Sequence, residues 1–182
     1  SRSRFIHRHI HCENEALSGI VGELHRESPL AFILPVSINA CWSLQQAKRQ
    51  GADLPLMLGV DAETLSRIND KLTVCEAARS CGVQAPRTIA VDGPEALAVA
   101  MADFAMPAVA KLRNDIGTSL APVQRYRILR TPSDVRAAAG FLPDGQPLLV
   151  QSYIDGAGAG VGLLLDNDGG IRARVAYRRL RE

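Results

Sequence analysis

Eighteen of the 21 basic residues are arginines; the three lysines are Lys48, Lys71 and Lys111. Arginine suits bidentate pairing with carboxylates, whereas lysine is a compact ammonium on a flexible stem, suited to a single phosphate oxygen. Lys71 falls in the first turn of a predicted helix that Asn69 or Asp70 can cap, where free backbone N–H groups and the positive dipole end also lie. Lys111 ends a short apolar strand and precedes the loop Arg113 to Ser119, which holds Gly117 and the hydroxyls of Thr118 and Ser119. A strand, a lysine and a small polar loop can hold a polyphosphate. The competing explanation is two incidental surface lysines, with Lys71 poorly placed beside a positive helix end.

Other chemistries are excluded by spacing. A P-loop requires a Gly-Lys pair at the start of a helix, and no such pair exists here. The run GAGAGVG (Gly156 to Gly162) lacks glycine at the third fingerprint position and leads into LLLD, a strand, so a dinucleotide fingerprint is ruled out and the run reads as a flexible turn. Neither a G-x-S-x-G elbow nor an H-E-x-x-H helix occurs. His7, His9 and His11 alternate along a predicted strand and could share a face, but no fourth ligand accompanies them; an exposed edge is expected instead. The arginines are scattered, the net charge is +2 and aromatics are 4% of residues, which argues against a nucleic-acid surface. Cys12, Cys41, Cys75 and Cys81 form no CxxC and read as small buried apolar residues rather than a disulfide frame. No run reaches the ~18 apolar residues of a membrane span, and the N-terminus lacks a secretory apolar region. A cytoplasmic protein without membrane or nucleic-acid partners is expected.

Elements alternate along the 182 residues. PLAFILPV (Pro29 to Val36) and LPLMLGV (Leu54 to Val60) read as buried strands, flanking a helix over Asn39 to Gln50; a short helix, Ala62 to Ile68, follows the Asp61 cap. The helix opened by Asn69 or Asp70 carries Leu72, Cys75, Ala78 and Cys81 three apart and ends at Gly82. Strands are predicted at RTIAV, PAVAKL, Gln124 to Leu129 and Pro147 to Ile154, with helices over Gly93 to Phe104 and after Thr131. Gly160 to Asp166 and Ile171 to Leu180 form a hairpin across NDGG. The expected class is α/β passing to α+β. The strand pattern still running at Glu182 suggests part of a longer catalytic unit.

NDK (Asn69 to Lys71), GVQAPRT (Gly82 to Thr88), PAVAKL (Pro107 to Leu112), LLVQSYIDGAGAGVGLLLD (Leu148 to Asp166) and RVAYRRLRE (Arg174 to Glu182) together resemble the ATP-grasp superfamily, most closely the carbamoyl phosphate synthase large subunit and biotin carboxylase. The resemblance implies a pre-ATP-grasp, Rossmann-like α/β unit over 1–68 and a partial ATP-grasp fold over 69–182. Within the latter it implies a small lid at about 87–150, a hinge at 151–154 and the start of a C-terminal sheet at 155–182. It places ATP between lid and sheet, with Lys111 and the less universal Lys71 on phosphate, and Gln151, Ser152, Tyr153 and Ile154 along the adenine. Gln151 stands where the family often has a glutamate that accepts from the adenine amino group, and an amide oxygen can do the same. Arg178 and Arg179 match arginines near the substrate, or else form a solvated strand end. The implied activity is an ADP-forming carboxylate–amine or carboxylate–thiol ligase working through an acyl phosphate, with ATP, Mg²⁺ and a small carboxylate as partners and room for a homodimer. The loop after Lys111 has fewer glycines than the family pattern, and the family's Mg²⁺ carboxylates match nothing up to Glu182. This chain is therefore expected to bind nucleotide weakly and not to turn over. The alternative is a non-catalytic nucleotide-binding or interaction domain.

Overall fold

The structure, a computed structural model, describes residues 4, 6, 8–118, 120, 125–139 and 147–180. They fall into two compact units, Ser1–Ser152 and Tyr153–Glu182.

The first unit opens with four helices, α1 (Leu17–Glu27), α2 (Ile38–Arg49), α3 (Ala62–Asn69) and α4 (Lys71–Ser80). Helix α1 was not legible beforehand. Its half-buried Leu17, Ile20, Val21 and Leu24 have helical spacing, but Gly19 and Gly22 lower its propensity and no side chain caps it. In α3 the expected Asp61 cap accepts from Thr64, and in α4 Asp70, one of the two candidates with Asn69, accepts from both Leu72 and Thr73. Helix α2 is capped by Ser37, which accepts from the Ala40 amide and was not singled out from sequence. Helix α4 closes as a Schellman turn. Gly82, at φ +75°, donates to the Arg79 carbonyl and Val83 to that of Ala78, each at 2.9 Å.

The two strands expected around α2 are not formed. Ile33 and Met57 make a single parallel bridge, with Ile33 N donating to Leu56 O at 2.7 Å and Leu58 N to Ile33 O at 2.8 Å. Pro29, Pro35 and Pro55 withhold amide donors from both segments, and two parallel strands without a third are marginal. Among the described residues the sheet of a Rossmann-like unit is therefore absent, and the fold class is mixed α/β with small sheets. The expected strand through His9 and His11 is also absent; both are exposed, and His7 lies outside the described residues.

Strands β1 (Thr88–Val91), β2 (Ala108–Leu112), β3 (Tyr126–Leu129) and β4 (Leu148–Ser152) form an antiparallel sheet in the order β1-β4-β2-β3. Gln124, expected to begin β3, lies outside the described residues. Helices α5 (Pro94–Ala102) and α6 (Pro132–Ala139) cover one face. Pro94 opens α5, and α6 begins with a Thr131–Asp134 exchange in which the Asp134 carboxylate accepts from the Thr131 amide at 2.8 Å. The core is built on this face from Val91, Leu97, Phe104, Ala108, Ala110, Leu112, Leu129, Leu148 and Val150. Strand β4 is buried on both faces, as suits a central strand.

The second unit is a hairpin of β5 (Ala159–Leu165) and β6 (Ile171–Arg178). The predicted strand Gly160 to Asp166 is formed as β5, so Gly160 and Gly162 of the glycine run lie in a strand and the run as a whole is not a turn. They face Tyr177 and Val175 across the pair, and the Tyr177 ring fills the space that a side chain at Gly160 would occupy.

Candidate functional site

In β2 the alternation of the pleat sends Ala108, Ala110 and Leu112 into the core and leaves Val109 and Lys111 on the opposite face. The register sets Gln151 beside Val109 and Leu149 beside Lys111. Helix α4 meets the same face. Gln151 Nε2 donates to Cys75 Sγ on α4 at 3.3 Å, and Leu149 is fully buried. Lys111 is thus a half-buried ammonium on the face away from α5 and α6. Burial holds its pKa below the ordinary lysine value and the nearby Lys71 charge adds to this, while Cys75 and Asp115 oppose both.

The start of α4 is fastened to the segment after β2. Lys71 N donates to Arg113 O at 3.2 Å, and Lys71 Nζ pairs with Asp115 Oδ1 at 3.2 Å. Asn69 Nδ2 donates to Asn114 Oδ1 at 2.6 Å and to Asp115 Oδ1 at 3.1 Å. Arg113 grips Asp70 bidentately, at 3.0 and 2.7 Å. Asp70 therefore caps α4 and pairs with Arg113; the Arg113 hydrogen bond is the chief reason its pKa lies below the ordinary carboxylate value. Burial pushes the Asp115 carboxyl up, but the Asn69 hydrogen bond, Lys71 and Arg125 outweigh it, and its pKa is also lowered. Four cations, Lys71, Lys111, Arg113 and Arg125, thus lie around Asp70 and Asp115, while Glu76 and Asp92 also act on Arg113.

The loop beyond Lys111 continues this framework. Asn114 Oδ1 accepts from Ile116 N, and the Thr118 hydroxyl donates to Asp115 O at 2.9 Å. Gly117, at φ +72°, donates to Asn39 Oδ1 on α2 at 3.3 Å. Ser119 lies outside the described residues. A separate cavity of about 400 Å³, bounded by α1, α2, Gly117 and Thr118, includes neither Lys111 nor Gln151 in its lining.

Of the residues singled out from sequence, Lys71, Lys111 and Gln151 meet at this face. Ser152 ends β4, its amide donating to Arg87 O at 2.9 Å. The strand expected to reach Ile154 stops there, because β1 offers no partner past Thr88 and β2 none past Ala108. Tyr153 is half-buried and Ile154 exposed, both in the second unit. Arg178 pairs with Ala159 at the end of β6, and Arg179 N donates to Gly158 O at 2.7 Å; both side chains are exposed. All four cysteines are free. Cys41 is buried, Cys12 and Cys75 are half-buried, and Cys81 is exposed, against expectation, because it lies at the end of α4 where the packed stripe runs out.

Sequence reasoning passed over Asp70, Arg113, Asn114 and Asp115 as site residues. The available signal was a pair of Asn-Asp dipeptides, one before Lys71 and one soon after Lys111. Mg²⁺ does not fit these residues. Among the described residues no group of three acidic, histidine or cysteine side chains converges, and Asp70 and Asp115 are already engaged by cations.

No family model matches this sequence and no curated protein matches it. Solved structures do match. An N5-carboxyaminoimidazole ribonucleotide synthetase in its ADP complex aligns at 16% identity over 94% of this chain and 42% of its own, with a TM-score of 0.65. The N5-carboxyaminoimidazole synthetase of Staphylococcus aureus aligns at 14% identity over 91% and 41%, with a TM-score of 0.62. A RimK-domain ATP-grasp protein from Sphaerobacter thermophilus aligns at 17% identity over 80% and 54%, with a TM-score of 0.55. The chain spans 42% of the length of the first of these. At such identities the likeness is one of fold alone, a partial ATP-grasp fold.

Proposed function

We propose that this chain is the ATP-binding portion of an ADP-forming ligase that joins a small carboxylate to an amine or thiol through an acyl phosphate. The proposal keeps the division at residue 69 between a pre-ATP-grasp unit and the ATP-grasp portion, and the likeness to carbamoyl phosphate synthase. Lys111 and Lys71 take the phosphates. Gln151 and the backbone of Ser152 to Ile154 take the adenine, and Arg178 and Arg179 serve the substrate side. The single observation that carries the reading is the half-buried ammonium of Lys111, on one sheet face with Gln151 and beside Lys71. Among the described residues no side chain is bonded to the Lys111 ammonium; burying a lysine without such a partner is unfavourable, and a phosphate oxygen would supply one. In such chemistry the protein contributes positioning and charge stabilisation rather than a nucleophile. Phosphoryl transfer requires Mg²⁺, for which the proposal names no ligand among the residues described. The protein works in the cytoplasm on a soluble acid, without nucleic acid.

Calorimetric titration of ATP into the wild type and Lys111→Ala tests this. Loss of one charge-assisted contact weakens binding by about 1.5–3 kcal/mol. Equal affinity in the folded variant removes Lys111 from the site and the reading with it.

A further inference from the structure

Thr88 on β1 stands directly opposite Gln151 on β4, so their side chains share one face. The Thr88 hydroxyl donates its only proton to the Pro86 carbonyl at 2.9 Å. That carbonyl also accepts from the Arg79 guanidinium. The Thr88 oxygen can therefore only accept from Gln151, whose Nε2 lies 2.8 Å away. The second amide proton is directed at Cys75 Sγ, 3.3 Å away. A buried amide whose nitrogen is occupied twice has one orientation, with Oε1 turned away from Thr88 and Cys75. Reversing it would set an oxygen against an oxygen, or oblige Thr88 to abandon Pro86.

We propose that Thr88 is a positioning residue that locks the Gln151 amide with its oxygen turned away from Thr88 and Cys75 and free to accept, so that the site selects a nucleotide whose base presents an exocyclic amino group over one presenting an oxo group. The inference rests on the nucleotide-binding reading above and adds the determinant of base choice. Gln151 by itself is ambivalent, since a free amide can rotate to offer N–H to an oxo base. Thr88, through Pro86, removes that freedom.

ATP and ITP, which differ at the base by amino against oxo, are the probes, titrated into the wild type, Thr88→Val and Thr88→Ser. The wild type favours ATP. Thr88→Val, which keeps the shape and removes the hydroxyl, narrows the ATP-to-ITP affinity ratio about five- to tenfold, and Thr88→Ser retains it. In a Gln151→Glu background, where both oxygens accept, Thr88→Val leaves the ratio unmoved; a merely structural effect would persist there. Should Thr88→Val fail to fold, Thr88→Ala carries the same comparison. An unchanged ratio in the folded variant, a shift that survives in the Gln151→Glu background, or a wild type indifferent to the base overturns the inference. Lys111→Ala separates the two readings. If it weakens both nucleotides while the Thr88 variants leave the ratio alone, the site stands and only this inference falls; if no nucleotide binds the wild type, both fall.

Discussion

Lys111 carries its charge where water is scarce, and its neighbours decide at what pH that charge survives. In the proposed role Lys111 meets a triphosphate as the ammonium, so ATP affinity should fall as pH rises through the lysine's lowered pKa. Asp115 pushes that pKa up, partly offsetting burial and Lys71. Asp115→Asn removes the opposing charge and should move the alkaline loss of ATP affinity to lower pH, as read from dissociation constants measured from neutral to alkaline pH. The same substitution frees Lys71 from its ion pair, so affinity near neutral pH should hold or rise even as the alkaline limb moves. A limb that stays in place would show that Asp115 does not act on Lys111. The lysines were legible from sequence because they are scarce. Asp115 was not, because its role depends on a 3.2 Å approach by a residue 44 positions earlier.

At the scale of elements, the fastening of α4 to the loop after β2 is the feature on which the site depends. Asp70 serves both helix and loop, and Asp70→Ala removes a cap and orphans Arg113 together. The expected cost is about 1–3 kcal/mol in urea unfolding, most of it from the cap because the Arg113 pair is partly solvated. Asp70 and Asp115 both have lowered folded pKa values. Their contribution to stability is therefore intact above the ordinary carboxylate pKa of ~3.9 and is lost as pH falls from there through the depressed values. Asp70→Asn should flatten that acid limb of a stability–pH profile. Helix α4 itself was legible to within a residue, since its Asn-Asp start and Gly82 are local signals. Gly82→Ala, which forces a Cβ onto a backbone at φ +75°, should lower stability by about 1 kcal/mol without touching the site.

At the scale of the whole molecule, the central sheet turns one face to the core and the other to the proposed site. Leu112 is fully buried against α5 and α6, while its neighbour Lys111 turns the other way. Leu112→Ala should cost about 2–5 kcal/mol in thermal or urea unfolding. ATP affinity, measured well below the lowered transition, should change less than for Lys111→Ala. A collapse of affinity on the scale of Lys111→Ala would show that the two faces are not independent. Apolar side chains remain exposed elsewhere, Leu34 at 63%, Val36 at 92% and Leu56 at 64%, along the two segments expected to be strands. Hydrophobicity alone predicted them as strands. Pairing requires neighbours with free amides, and proline at 29, 35 and 55 restricts these to one bridge.

The sequence by itself determined the helix caps, the apolar alternation of β2, the terminal hairpin and the scarcity of lysine, since each depends on residues a few positions apart. Only the tertiary structure decided that β4 lies between β1 and β2, and with it that Gln151 faces Thr88 and Cys75 on the side where Lys111 emerges. That order comes from packing among segments some 40 to 60 residues apart along the chain, and no local pattern of side chains encodes it.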